Sequence, residues 1–166
     1  AEHTQGQALA HVATLEVGES QYSALFDVDG MPLDDLLVYR LGEEHYLVVV
    51  NASNNDKDWA WVNGVLNGDV LIDPRRPWVK WSAPAGSVVL RDLRAPTSGS
   101  DMRAELALQG PKSKDILLAL GGNPSDLAKI RALPWAGIAR VTLGEFDGIV
   151  SRTGYTGERV ADELWV

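Results

Sequence analysis

The side chains best suited to chemistry in this chain are carboxylates and tyrosines set beside glycines and short apolar runs. Asp34 and Asp35 stand together at the head of Leu36-Leu37-Val38-Tyr39. Adjacent residues of a strand point to opposite faces, so one acid would meet solvent and the other the covered side. A carboxylate turned into a partly apolar site can take a raised pKa and bind or transfer a proton. The plainer alternative is two turn acids following Gly30-Met31-Pro32, and spacing alone leaves both open. Tyr155 lies between glycines in Gly154-Tyr155-Thr156-Gly157, with Glu158 and Glu163 beyond it. Glycines let backbone approach a ligand closely, and a tyrosine there can stack on a planar ring. An ordinary glycine turn has the same composition.

Other chemistries are poorly served. The chain has no cysteine, which excludes disulfides, thiolate metal sites and a cysteine nucleophile. There is no phosphate-binding loop, dinucleotide fingerprint, nucleophile elbow or zinc-protease motif. His3, His11 and His45 are scattered without metal-ligand spacing, so no metal is expected. Asn51-Ala52-Ser53 matches the glycosylation sequon, but nothing else suggests secretion. A net charge of −8 repels phosphate backbones and anionic membrane surfaces. Nucleic acid and membrane are therefore not expected partners. Ala1-Glu2-His3-Thr4 lacks the features of a signal peptide, and runs such as Leu47–Val50 are too short to span a bilayer. A cytoplasmic setting is expected.

The elements that must position these residues read as α+β, with antiparallel sheets flanked by helices. The 166 residues are 45% hydrophobic and 23% charged, an ordinary globular balance. Residues 7–15 have helical spacing. Alternation over Tyr22–Val28, the Asp29-Gly30 turn, Leu33–Leu41, the Gly42-Glu43-Glu44 turn and His45–Val50 predict a three-stranded meander. Tyr46–Val50 is apolar on both faces, which predicts a central strand. Ser53–Asn55 can cap a helix with Asp56 and Asp58 in its first turn and Trp59, Val62 and Leu66 on its apolar face. Trp78–Trp81 and Val88–Leu90 read as short strands within a loop-rich stretch, and a lobe boundary is placed near residue 75.

Beyond it, Ala104–Gln109 predicts a strand. A helix beginning at Pro111 would bury Ile116, Leu117 and Leu120. A second helix, Ser125–Leu133, would be capped by Ser125. Ile138–Leu143 and Ile149–Arg152 predict a hairpin turning at Phe146-Asp147-Gly148, and Glu163–Val166 a last strand. The division is thus 1–75, an antiparallel lobe, and 76–166, a second α+β lobe of the same domain.

In order and approximate spacing, several segments together resemble the aminomethyltransferase, or glycine cleavage T protein, family. They are Gln21–Phe26, Leu33–Gly42, Tyr46–Ala52, Lys57-Asp58, Leu106–Pro111 and Arg152–Glu158. The resemblance covers nearly the whole chain. It implies the folate-binding domain of that family, in part, and tetrahydrofolate-dependent transfer of an aminomethyl carbon from a lipoyl-carrying H protein. It implies that Asp35 is the acid near the folate N10 and that Tyr22 and Tyr39 line the folate cavity. Val49 would be an apolar cavity residue, Asn51 the strand-end asparagine, and Tyr155 the tyrosine packed on the cofactor. Glu163 would bind the pterin, since a carboxylate can accept two hydrogen bonds from its amine and ring N–H.

Gly157–Glu163 runs about one residue longer than the family pattern, which makes Asp162 the alternative pterin acid. The stretch 74–103 is also longer than in the family. Family members carry an amino-terminal segment ahead of residue 1 and a carboxy-terminal barrel, so this stretch alone is expected to have an incomplete cavity and little activity. A folate-dependent demethylase of the same superfamily, or a folate-binding or interaction domain without catalysis, are the alternative functions.

Overall fold

A computed structural model describes residues 12–71, 73–78, 86–154 and 162–165, the last without side chains. The strands are β1 (Ser20–Phe26), β2 (Pro32–Gly42), β3 (His45–Val50), β4 (Glu105–Leu108), β5 (Ile138–Leu143), β6 (Phe146–Ser151) and β7 (Asp162–Trp165). The α-helices are α1 (Asn55–Asn67), α2 (Ser113–Ala119) and α3 (Pro124–Ala132), with short 3-10 turns at Val12–Thr14, Ala52–Asn54 and Pro96–Asp101. Among the described residues the strands form two antiparallel sheets, ordered β1-β2-β3 and β4-β7-β6-β5. The expected α+β class is observed.

β2 belongs in the middle of its sheet because both its faces are covered. Leu36 and Val38 pack with Leu15 on one side. On the other, Tyr39 packs with Ile138 and Ile149 from the second sheet, with Leu37, Leu41, Leu47 and Val49 around them. A third cluster, Leu117, Ile130, Leu133, Val141, Leu143 and Val150, seats α2 and α3 on the far face of the second sheet.

The two sheets are joined along residues 18–20. Gly18 donates to the Arg40 carbonyl at 2.8 Å and accepts from Ile138 N at 2.8 Å. Ser20 Oγ donates to the Ala136 carbonyl at 2.7 Å. Inside the joint, the fully buried Tyr39 hydroxyl lies 3.0 Å from Thr153 Oγ1, and Ser151 Oγ hydrogen-bonds Thr153 as well.

Several local expectations need correction. β3 is an edge strand, not a central one: Tyr46 and Val48 remain 37% and 49% exposed. Its β-branched run satisfies strand propensity without two-sided burial. α3 is capped by Asn123, whose side chain accepts from Asp126 N at 2.9 Å, and Pro124 takes the first turn; Ser125 lies inside. α2 starts at Ser113, after the Pro111 turn, and buries Leu117, while Ile116 and Leu120 face outward at 49% and 47% exposure. The β5–β6 hairpin turns at Gly144-Glu145, with Phe146–Gly148 already in β6. Val88–Leu90 is not a strand, and Trp78 is an exposed turn residue; residues 79–81 lie outside the described residues, as does most of the expected 7–15 helix.

Candidate functional site

The register of the first sheet decides which candidate residues meet. Leu37 pairs with Tyr22 on β1 and Val49 on β3. Residues opposite each other share a face, and so do residues two apart on one strand. Tyr22, Asp35, Tyr39 and Val49 therefore lie on the Leu37 face. Asn51, just past β3, reaches the same place: its Nδ2 lies 3.1 Å from the Asp35 carbonyl oxygen and 2.8 Å from Asp35 Oδ1.

At the open end of this face Asp35 is exposed and held from two sides. Tyr22, 61% exposed, donates its hydroxyl to Asp35 Oδ2 at 2.8 Å. Asn51 holds the other oxygen. The Asp35 bond raises the Tyr22 pKa, with the nearby carboxylate charges adding to it. Val49 is half-buried, and Tyr39 is fully buried in the sheet joint. These two back the face rather than rim it.

Asp34 points the other way. It is 7% exposed and accepts from Asn51 N at 3.1 Å, Asn51 Nδ2 at 2.9 Å and Asn54 Nδ2 at 2.7 Å. Burial opposes its ionisation, but the Asn51 and Asn54 bonds outweigh it and hold its pKa down at about 2. Asn54 is the residue ahead of α1 and makes no side-chain cap bond to that helix. Its amide goes to Asp34 instead, although a capping asparagine typically stabilises a helix by about 1 kcal/mol. Lys57 reaches back to the Leu33 carbonyl at 2.5 Å and to Asn54 Oδ1 at 3.2 Å.

Beneath this cluster lies Asp58, 2% exposed, on the first turn of α1. Burial and the neighbouring Asp34 carboxyl push its pKa up to about 6, against a smaller pull from Lys57. The sequence places Asp58 in the first turn of α1, where the helix dipole favours an acid, and Asn54 among the residues able to cap that helix. A local signal existed for Asp58: it lies four residues before Val62, on the apolar side of α1.

Glu163 is in β7, paired with Ala107 and Ser151, and Asp162 is paired with Leu108. Tyr155 and Glu158 lie outside the described residues. A hollow of about 270 Å³ lined by Val17, Arg40, Lys129 and Arg140 among others is at the other end of β2, and no candidate residue lines it. Among the described residues, no group of three or more His, Asp or Glu could hold a metal ion. No helix among them is long and apolar enough to cross a membrane.

Comparison with known proteins gives one consistent family. The aminomethyltransferase of Geobacillus kaustophilus is 39% identical over 147 residues, 89% of this chain and 33% of that protein. That of Bacillus subtilis is 38% identical over the same span, again 33% of its length. The chain thus spans about a third of the curated relatives it matches. Its fold is similar to the crystal structure of glycine cleavage system aminomethyltransferase T from Bartonella henselae. The TM-score is 0.59 at 24% identity, over 93% of this chain and 33% of that one. The family model described as the GCVT N-terminal domain matches residues 2–161, and the chain belongs to that family.

Proposed function

We propose that this chain forms the folate-binding part of an aminomethyltransferase of glycine cleavage, moving a one-carbon unit from a lipoyl-carrying H protein to tetrahydrofolate in the cytoplasm. The observation that carries this reading is the exposed Asp35 carboxylate, fixed between Tyr22 at 2.8 Å and Asn51 at 2.8 Å.

The residues fit such a ligand. Each Asp35 oxygen uses one acceptor direction on the protein, and a carboxylate oxygen has two. The remaining directions open to solvent and can accept an N–H from a folate amine. Tetrahydrofolate supplies, when bound, the amine nitrogen that receives the carbon. Asp35 then orients that amine and offsets positive charge developing beside it. Its own geometry is set beforehand, because both oxygens are already held. The exposed Tyr22 ring offers a flat apolar wall, and Leu37 and Val49 continue that wall along the face. Glu163 or Asp162 would take the pterin, and Tyr155 would pack on it.

Calorimetric titration of tetrahydrofolate into the 166-residue chain tests this, with the Bacillus subtilis aminomethyltransferase as the positive control. Binding that weakens in Asp35→Asn and in Tyr22→Ala is the expected result. Unchanged binding in both variants would remove Asp35 and Tyr22 from the folate site and sink this reading.

A further inference from the structure

Two side chains at the start of α1 are placed against the interests of that helix. Asn54 stands where a side chain normally caps, yet it makes no cap bond. Lys57 brings a cation to the first turn, where the helix dipole favours anions. Both turn instead to β2, at the acid pair. Lys57 Nζ donates to the Leu33 carbonyl at 2.5 Å, in the peptide that joins Leu33 to Asp34, and to Asn54 Oδ1 at 3.2 Å. Asn54 Nδ2 donates to Asp34 Oδ1 at 2.7 Å.

The order of these contacts fixes the Asn54 amide. A side-chain amide accepts at its oxygen and donates at its nitrogen. With the ammonium on its oxygen, its nitrogen faces Asp34. A flipped amide would set its nitrogen against the ammonium and its oxygen against the carboxylate. Asp34 is then held on both oxygens: Oδ1 by Asn54 and by Asn51 Nδ2 at 2.9 Å, Oδ2 by Asn51 N at 3.1 Å. Asn51 Nδ2 goes on to Asp35 Oδ1 at 2.8 Å. The other support of Asp35 is Tyr22, itself 61% exposed. Every bond in the line from Lys57 to Asp35 has one charged partner, and such bonds are roughly twice as strong as neutral ones.

We propose that Asn54 and Lys57 are positioning residues for Asp35: Lys57 sets the facing of the Asn54 amide, Asn54 holds the Asp34 carboxylate, and Asp34 aims the Asn51 amide that orients Asp35. The step from Asp35 to a ligand amine rests on the folate reading; the steps from Lys57 to Asn51 do not.

The test separates positioning from helix capping. Serine caps a helix as well as asparagine does, but it has no amide to span Lys57 and Asp34. Asn54→Ser and Lys57→Met are made in the 166-residue chain. The Asn51 side-chain amide is followed by ¹H–¹⁵N NMR, tetrahydrofolate affinity by calorimetry and Tm by thermal unfolding. Asn54→Ser should keep the wild-type Tm, displace the Asn51 amide resonance and weaken tetrahydrofolate about tenfold, the size of one lost hydrogen bond to a charged group. Lys57→Met should displace the same resonance, and Lys57→Arg, which keeps a cation for both oxygens, should restore most of the affinity. An Asn51 amide that stays at its wild-type position in both Asn54→Ser and Lys57→Met overturns the proposal. So does full affinity in Asn54→Ser beside a wild type that binds. Should Lys57→Met fail to fold, Asn54→Ser decides alone. A wild type that binds no tetrahydrofolate, with the Asn51 amide displaced in the variants, leaves the positioning line standing and strikes the folate reading alone.

Discussion

Asp34 and Asp35 are neighbours in β2 and face opposite ways: Asp34 is 7% exposed beneath α1, while Asp35 lies open to solvent. The Asn51 amide connects them, 2.9 Å from one carboxylate and 2.8 Å from the other. One acid therefore builds the site, and the other presents itself to what lies outside.

That division predicts opposite mutational signatures. Asp34→Ala leaves the Asn51 and Asn54 donors without their acceptor in a part-buried setting and should cost about 1–2 kcal/mol. Asp35→Ala exposes its partners to water, which replaces the lost bonds, and should stay within about 0.5 kcal/mol. Tetrahydrofolate affinity should fall in both. Urea denaturation of the two variants separates the roles; equal loss of stability would contradict the assignment.

Acid should loosen the fold through two carboxylates with depressed pKa values. Asp126 is held at about 2 by the Lys129 ammonium, the Thr142 backbone N–H and the Asn123 side chain; it pins α3 to β5 through the 3.0 Å bond from Thr142 N. Asp34 is likewise held at about 2. A folded-state pKa below the ordinary 3.8 stabilises the fold above 3.8, and that stabilisation is lost as pH falls toward 2. Thermal unfolding should show Tm dropping between pH 4 and 2, and Asp126→Asn should already be lowered at neutral pH with a shallower drop. A variant as acid-sensitive as the wild type would remove Asp126 from this role.

How much of this was legible depended on the distance over which each signal acts. Period-two alternation placed β1 and β2, because each strand's faces are set locally; Tyr22, Asp35, Tyr39 and Val49 share a face only through the register between strands, and in the sequence the family resemblance alone named them together. The apolar run of β3 was misleading: Val48 is nearly half exposed, and strand propensity does not say how many faces are covered. Ser125 and Asn123 are both good caps, and Pro124 at the first helical position marked the right one. Asp58 was the hardest, since its burial depends on a residue 24 positions earlier. Of the asparagines that hydrogen-bond the Asp34 carboxylate, Asn54 was visible only as a helix-start residue and Asn51 only as the strand-end asparagine of the family resemblance.

The joint between the sheets predicts a graded response at Tyr39. Tyr39→Phe keeps the ring among Ile138 and Ile149 and removes only the hydroxyl that meets Thr153 at 3.0 Å. Ser151 and Thr153 still bond each other, so the cost should be about 1 kcal/mol. Tyr39→Ala empties a fully buried site and should cost about 3–5 kcal/mol. Denaturation midpoints distinguish the two; similar losses would show the hydroxyl, not the ring, to be what holds the sheets together.

Asp58 predicts a stability gain where most buried-residue substitutions lose. Its folded-state pKa is raised from 3.8 to about 6, so the folded chain binds that proton more tightly than the unfolded chain does. Below 3.8 both states are protonated and Asp58 has no ionisation cost. As pH climbs from 3.8 to about 6 the unfolded state ionises freely while the folded state resists, and stability falls; above 6 the full penalty persists. Asp58→Asn cannot ionise and keeps a donor for Asp34. Its Tm should match the wild type near pH 4, pull ahead between pH 4 and 6, and hold a constant lead at pH 8. This is opposite in sign to the Asp34 and Asp126 effects, which act below pH 4. A variant less stable than the wild type at pH 8 would mean that Asp58 is ionised and stabilised there by a cation, contrary to its placement against Asp34.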